Sequence, residues 1–116
     1  MTGTEAVTLL VKRFPVVKDR VDDPNDLFET PHVTYGLLAT EVLENVQDQG
    51  LFKDLCKFID ELANSGDDLL EELLVIDVLE GLAQNPELAA RVGSCVSPKA
   101  LEFLTKVERE FFRRHP

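Results

Sequence analysis

The sequence has few of the residues on which catalysis and metal binding depend. Its two histidines, His32 and His115, lie near a predicted helix start and close to the end of the chain. Without Glu-x-x-His pairs on facing helices, its carboxylates do not form a di-metal site, so we expect no metal and no other cofactor. Ser94 and Cys95 follow a glycine but lack the histidine and the Gly-x-Ser-x-Gly context of a nucleophile. We therefore predict no catalytic residues and a protein that is not an enzyme.

Long apolar runs and cysteine clusters are missing as well. No stretch approaches the roughly 20 apolar residues of a membrane span. The segment from Met1 to Lys12 lacks the basic and apolar regions of a signal peptide. The two cysteines, Cys56 and Cys95, do not have metal-ligand spacing. We expect both to be free thiols in a cytoplasmic protein, because disulfides are rare in that reducing compartment.

Basic residues are scarce in the middle of the chain. Residues 19–87 contain eighteen carboxylates and only three basic residues, Arg20, Lys53 and Lys57, for a net charge of −15. The flanking segments, 1–18 and 88–116, carry +2 and +3, which gives −10 for the whole chain. Strong negative charge argues against nucleic acid or an anionic membrane as a partner. It favours a surface that binds a cationic protein.

The patterns that are present predict one all-α domain over residues 1–116. Apolar residues recur at helical spacing, and no strand pattern occurs. A first helix stops before Pro15, and the acidic segment 16–30 is predicted as a loop. The further predicted helices are 31–49 with Gly50 as its end, 51–64, 66–84, 86–92 and a last one that begins at Pro98. We predict a compact array of about five helices.

The segment 66–84 differs from its neighbours because its apolar residues point in two opposite directions. Leu69, Leu70 and Leu73 form one side, whereas Val75, Val78, Leu79 and Leu82 form the other. A helix that is apolar on both sides is buried on both sides, so we predict that it is the central helix. With the amphipathic helix 51–64 it forms a helical hairpin over 51–84, and Ser65 with Asp68 predicts a capping box at its start. In the last helix the predicted inward-facing residues are Ala100, Leu101, Leu104, Val107, Phe111 and Phe112.

Three groups of carboxylates are candidates for recognition. Glu41, Glu44 and Asp48 form an acidic ridge on the second helix, together with Leu37. A second group lies at the start of the predicted helix 66–84, where the helix dipole alone would favour acids. It consists of Asp67, Asp68, Glu71 and Glu72. The acidic loop residues Asp19, Asp22, Asp23, Asp26 and Glu29 lack the order of an EF-hand, and a solvated loop is the simpler interpretation. A solvated face is the alternative for all three groups.

The central hairpin resembles a known family. The stretch ANSGDDLLEELLVIDVLEGLAQ at 63–84, with LCKFIDEL before it and SPKALEFLTKVEREF after it, is similar to a family of small bacterial helical proteins of unassigned function. The resemblance covers about residues 33–112. It implies a helical domain without enzymatic activity. Some relatives resemble immunity proteins that are encoded beside bacterial toxins.

Two binding functions and one enzymatic function are compatible with the sequence. The first is an inhibitor that neutralises a basic toxin through the ridge and the Asp67-to-Glu72 cluster, with exposed Leu37 or Tyr35 as an apolar anchor. The second is a helical adaptor or regulatory subunit that binds its partner in a groove between helices. An enzyme becomes a candidate if a pocket brings together three carboxylates, or a carboxylate and His32. The oligomeric state stays open.

Overall fold

The chain is folded as an all-helical array, as its sequence predicts. The structure, a computed structural model, describes residues 1–114 except for the side chains of Phe112 and Arg114. His115 lies outside the described residues. Within the described part there are no strands and seven α-helices, namely α1 Gly3–Arg13, α2 Pro31–Glu44, α3 Gln49–Ala63, α4 Asp68–Leu73, α5 Glu80–Leu82, α6 Pro86–Gly93 and α7 Pro98–Arg114. The radius of gyration, 13.3 Å, is that of a compact domain of this length.

Helix α1 and the segment after it have well-defined ends. Thr2 and Glu5 form a reciprocal capping box at the start of α1, and the helix ends before Pro15, as predicted. The predicted loop 16–30 contains two 3₁₀-helical segments, Pro15–Arg20 and Pro24–Phe28. The second is tied to α2, because the hydroxyl of Thr34 donates a hydrogen bond to the carbonyl of Leu27.

The boundary between α2 and α3 differs from the prediction. Helix α2 begins at Pro31 as expected but ends at Glu44, five residues before the predicted end at Gln49. Asn45 terminates it and donates a side-chain hydrogen bond to the carbonyl of Glu41 at 2.8 Å. Asp48 then caps α3 by accepting a hydrogen bond from the Leu51 amide at 2.9 Å. The prediction that Gly50 ends α2 is therefore wrong, because Gly50 lies in the first turn of α3.

Helix α3 packs as its amphipathic pattern predicts. Its buried residues are Leu55, Cys56, Phe58, Ile59, Leu62 and Ala63. Phe58 makes an edge-to-face contact with Phe14 at 5.3 Å between ring centroids and stacks on Tyr35 at 6.2 Å. These contacts join α3 to α1 and α2 in one apolar core.

The predicted helix 66–84 is a run of three consecutive helical segments. Helix α4 begins at Asp68 rather than at residue 66, because Gly66 has a positive φ of 69° and Asp67 is the cap. Ser65 contributes differently from the predicted capping box, since its hydroxyl accepts a hydrogen bond from the Asp67 amide. A π-helical stretch, Leu74–Leu79, follows α4 and leads directly into α5. This subdivision is one reason why there are seven α-helices where about five were expected.

Helices α6 and α7 begin with proline at the predicted positions. Asn85 caps α6 by accepting a hydrogen bond from the Leu88 amide at 3.1 Å. In α7, Ala100, Leu104 and Val107 are buried, and Phe111 is half-buried against the core. Leu101 is 41% exposed, so the prediction that it faces inward is wrong. Phe112 belongs to the same expectation, but its side chain lies outside the described part.

The two cysteines are paired, contrary to the expectation of free thiols. Cys56 on α3 forms a disulfide with Cys95 in the linker between α6 and α7, and their Cα atoms are 6.6 Å apart. That distance lies within the range that a disulfide can span. Sequence spacing gave no indication of this pair because the cysteines are 39 residues apart. The fold brings them together when α7 packs on α3.

Candidate protein-binding surface

The acidic ridge predicted on α2 is partly neutralised by the chain itself. Arg20, in the first 3₁₀ segment, places its Nε 2.5 Å from Glu41 Oε2 and its Nη2 2.5 Å from Glu44 Oε2. The Glu41 side chain is only 13% exposed, whereas the Glu44 side chain is 61% exposed. The two carboxylates raise the pKa of Arg20 through hydrogen bonds and charge. Glu41 and Glu44 thus hold the 3₁₀ segment against α2, and little of Glu41 is available to a partner.

Two other predicted contact acids are helix caps. Asp48 lies beyond the end of α2 and caps α3, so it is not part of a ridge with Glu41 and Glu44. Asp67 accepts a hydrogen bond from the Leu70 amide at 3.0 Å. It also forms an ion pair with the α-amino group of Met1 at 2.8 Å. These interactions lower the pKa of Asp67, with the bond from the amino group as the largest contribution. Both acids have a structural role that explains their position.

Of the two residues predicted as exposed apolar anchors, Tyr35 is buried and Leu37 is half-buried. Tyr35 is fully buried, and its hydroxyl donates a hydrogen bond to the carbonyl of Ala6 at 2.7 Å. Burial also raises the pKa of the Tyr35 phenol. Leu37 is half-buried against the core. The expectation that Tyr35 is an exposed anchor is wrong, because its place on the helical wheel belongs to the core side of α2.

The acids at the start of α4 do remain on the surface. Asp68 and Glu72 are exposed, and Glu71 is half-buried. Glu72 also reaches across to α2, where its Oε2 lies 3.4 Å from Nε2 of His32. The acidic cluster of α4 and the first turn of α2 therefore belong to one side of the molecule.

His32 links two carboxylates from a distant part of the chain. Its Nδ1 lies 2.6 Å from Oδ2 of Asp77, which is in the π-helical stretch and is 45 residues away in sequence. The Asp77 side chain is 14% exposed. Burial raises the pKa of Asp77, and the hydrogen bond with His32 opposes that shift. The cluster of His32, Glu72 and Asp77 fixes the first turn of α2 against α4 and the π-helical stretch.

Two residues adjacent in sequence to members of this cluster are exposed and apolar. Val33, next to His32, is 61% exposed, and Ile76, next to Asp77, is 47% exposed. They are two of only six large apolar residues that are exposed in the described part of the chain. We call the five residues His32, Val33, Glu72, Ile76 and Asp77 the His32 surface. Apolar contact area with a polar rim is a general feature of protein–protein interfaces.

A groove continues from the His32 surface between α2 and α5. Ile76 and Asp77 line part of it, and the groove encloses about 540 Å³. Its walls include Gly36, Ala39, Thr40 and Leu43 from α2, and Gly81 from α5. The helices approach closely here, since a Cβ atom on Gly81 would lie only 2.7 Å from the Cβ of Ala39. Gly81 thus allows α2 and α5 to approach each other closely along the groove.

The two ring nitrogens of His32 both face carboxylates. His32 lies with Asp77 and Glu72, and such a contact within a pocket is one condition under which an enzyme becomes a candidate. Nδ1 of His32 lies within hydrogen-bond distance of Asp77, and Nε2 lies 3.4 Å from Glu72. Doubly protonated imidazole can donate to both partners, whereas neutral imidazole can donate to only one. Across the part of the chain that the structure describes, no group of three or more His, Cys, Asp or Glu side chains is arranged to hold a metal ion.

Sequence reasoning missed the centre of this surface. His32 was treated as an isolated residue near a helix start, and Asp77 as part of a buried helix. One signal was available: Asp77 is a single carboxylate within the apolar run LLVIDVL at 73–79. A charged side chain in such a run needs a partner, because burial without one is costly. The π-helical stretch, a feature that is frequent at functional sites, left no recognised signature.

The fold and the surface together define an all-helical protein with an acidic exterior. A family model described as a domain of unknown function (DUF7674) matches residues 7–113, so the chain belongs to that family. No curated protein and no solved structure matches the chain. Within residues 1–114, no helix has the length and apolar character needed to cross a membrane.

Proposed function

We propose that this protein is a non-enzymatic binding module that presents the His32 surface to a cationic protein partner. The observation that carries the proposal is the position of Val33 and Ile76. Both are exposed, and both are direct neighbours in sequence of residues that hydrogen-bond to each other. An apolar pair at such a junction provides contact area, and the surrounding carboxylates provide selectivity for positive charge.

The charge of the chain supports a cationic partner. Residues 19–87 carry −15, and one of their three basic residues, Arg20, is already paired with Glu41 and Glu44. Asp68 and Glu72 are exposed carboxylates, and Glu72 lies 3.4 Å from His32. Complementary charge raises the rate of association and excludes partners of the wrong sign. Of the acids that were first predicted as contacts, we retain Asp68, Glu71 and Glu72.

Within this class we propose an immunity protein that neutralises a basic toxin. The support is the acidic surface together with the resemblance of residues 63–84 to relatives of that kind. A cytoplasmic location and a bacterial source belong to the same proposal. Growth of cells that express the product of the neighbouring gene, with and without this protein, tests it. Rescue of growth is expected, and unchanged toxicity would contradict the immunity role.

The groove favours a second candidate, a helical adaptor or regulatory subunit. Its walls between α2 and α5 could receive an apolar segment of a partner, with the charge serving solubility. The two candidates differ in their response to charge reversal. Glu72→Lys should weaken binding to a cationic partner through the His32 surface, whereas binding in the groove should be unchanged.

Position-specific crosslinking tests the proposed surface directly. A photoreactive amino acid is placed at position 33 or 76 of the full chain, and at position 101 on α7 as a control. Positions 33 and 76 should crosslink to the same basic protein, and position 101 should not, although Leu101 is 41% exposed. Equal crosslinking from all three positions, or an acidic partner, would contradict the proposal.

A further inference from the structure

The disulfide lies in a surface cleft along α3. The cleft encloses about 290 Å³ and is lined by Phe52, Lys53, Cys56, Lys57, Asp60 and Cys95. The two sulfur-bearing residues differ in access, since Cys56 is 6% exposed and buried on α3, whereas Cys95 is exposed in the linker. An incoming reagent therefore meets Cys95 first.

The charge of this cleft is opposite to that of its surroundings. Lys53 and Lys57 are two of the three basic residues within residues 19–87, a region whose net charge is −15. Neither forms an ion pair with another residue that the structure describes. The one carboxylate of the cleft, Asp60, accepts a hydrogen bond from the amide of Ser97 at 2.7 Å. Two free cations beside a disulfide, in a region otherwise acidic, indicate a site for an anionic reactant.

We propose that Cys56 and Cys95 form a thiol-exchange site whose reactant is a small anionic thiol. The thiolate of the reactant attacks Sγ of Cys95, and a new bond forms between these two sulfurs. The bond between the cysteines breaks, and its electron pair leaves on Sγ of Cys56 as a thiolate. Lys53 and Lys57 stabilise that thiolate, because a nearby positive charge favours the ionised form of a cysteine.

A second molecule of the same thiol completes the exchange. Its thiolate attacks the sulfur that the first molecule contributed to the mixed disulfide, and Cys95 leaves as a thiolate. The products are two protein thiols and one oxidised thiol dimer, so the reaction needs no other reductant. The same steps in reverse restore the protein disulfide from the oxidised dimer.

The linker stays attached to α3 after the exchange. Besides the amide bond from Ser97 to Asp60, the Asn64 side chain donates a hydrogen bond to the Ser97 hydroxyl at 3.3 Å. Both contacts hold Ser97, the residue that directly precedes α7. Exchange at Cys95 therefore loosens the linker locally and leaves the core contacts of α3 in place.

Kinetics with two thiols of opposite charge test the proposal. The oxidised full chain is treated at low salt with glutathione, which is anionic, or with cysteamine, which is cationic, and intact mass is followed over time. Glutathione should react about tenfold faster, the lower end of electrostatic effects on association rates, after correction for the thiolate fraction of each reagent. Lys53→Gln with Lys57→Gln should remove that preference, and the matched pair Lys99→Gln with Lys106→Gln on α7 should retain it.

The site of the adduct provides an independent readout. Peptide mapping should place the first glutathione on Cys95. In the Cys56→Ser variant, whose Cys95 is a free thiol, the oxidised glutathione dimer should form the same mixed disulfide and release one glutathione. An adduct found first on Cys56, equal rates for both thiols, or two free thiols in the protein after oxidation would each overturn the proposal.

Discussion

Helix α3 and the run from α4 to α5 are neighbours in sequence but are held in the fold in different ways. In α3 the apolar residues share one face, and the exposed face carries Lys53 and Lys57. In the run from α4 to α5, apolar residues occur on more than one side, and Asp77 is bonded to His32. A one-sided helix is specified by its own sequence. The position of a helix that is apolar on several sides depends on contacts with residues that are far away in the chain.

This difference explains what the sequence could predict. The pattern of α3 predicted its buried face, because helical periodicity alone decides which residues face a core. The caps at Asp48 and Asp67 were missed, since several acids and serines near each boundary compete for the same role. The His32 surface was missed because no local pattern links residue 32 to residue 77. The disulfide was missed for the same reason.

The largest expected effect concerns the core contact of α3. Phe58→Ala removes a fully buried ring that contacts Phe14 and Tyr35, and should lower the free energy of unfolding by roughly 3–5 kcal/mol. Urea denaturation measures the change. Leu101→Ala is the matched control, because an exposed residue should change stability by less than about 0.5 kcal/mol. A loss for Phe58→Ala as small as that of the control would contradict the description of α3.

The disulfide should also stabilise this side of the molecule. Its loss in the double variant Cys56→Ser and Cys95→Ser should cost roughly 2–4 kcal/mol, because the bond closes a loop of 39 residues in the unfolded chain. Wild-type protein in a reducing agent should show the same stability as the variant. Equal stability of the oxidised and reduced proteins would show that the pair does not constrain the chain.

Two glycine-to-alanine substitutions test how closely α2 and α5 approach each other. Gly81→Ala should lower stability by roughly 1–3 kcal/mol, since its Cβ would lie 2.7 Å from the Cβ of Ala39. Gly36→Ala should instead raise stability by roughly 0.5–1 kcal/mol, because alanine favours a helix interior and nothing lies within 4 Å of its Cβ. Thermal and urea unfolding of both variants provide the test. Changes of the same sign would contradict the close approach of the two helices.

The smallest expected effect is the contribution of Asp77 to the pH dependence of the free energy of unfolding. Because burial raises its pKa above 3.8, the native state binds its proton more strongly than the unfolded state does. This contribution to stability is present below 3.8 and is lost as the pH rises through the folded-state pKa. Relative to Asp77→Asn, the wild type should therefore lose stability as the pH rises from that value. Urea unfolding of both proteins at a series of pH values measures this change, and a wild type that gains stability relative to Asp77→Asn as the pH rises would contradict the burial of Asp77.

The most direct test of the His32 surface is the affinity of two matched double variants for the crosslinked partner. One variant combines Glu72→Lys with Ile76→Ser, and the other combines Glu102→Lys with Leu101→Ser on α7. Both change the charge equally and remove one exposed apolar side chain. We predict that Kd rises by about tenfold or more, about 1.4 kcal/mol, for the first variant alone. Equal affinities of the two variants would contradict the proposal that the His32 surface binds the partner.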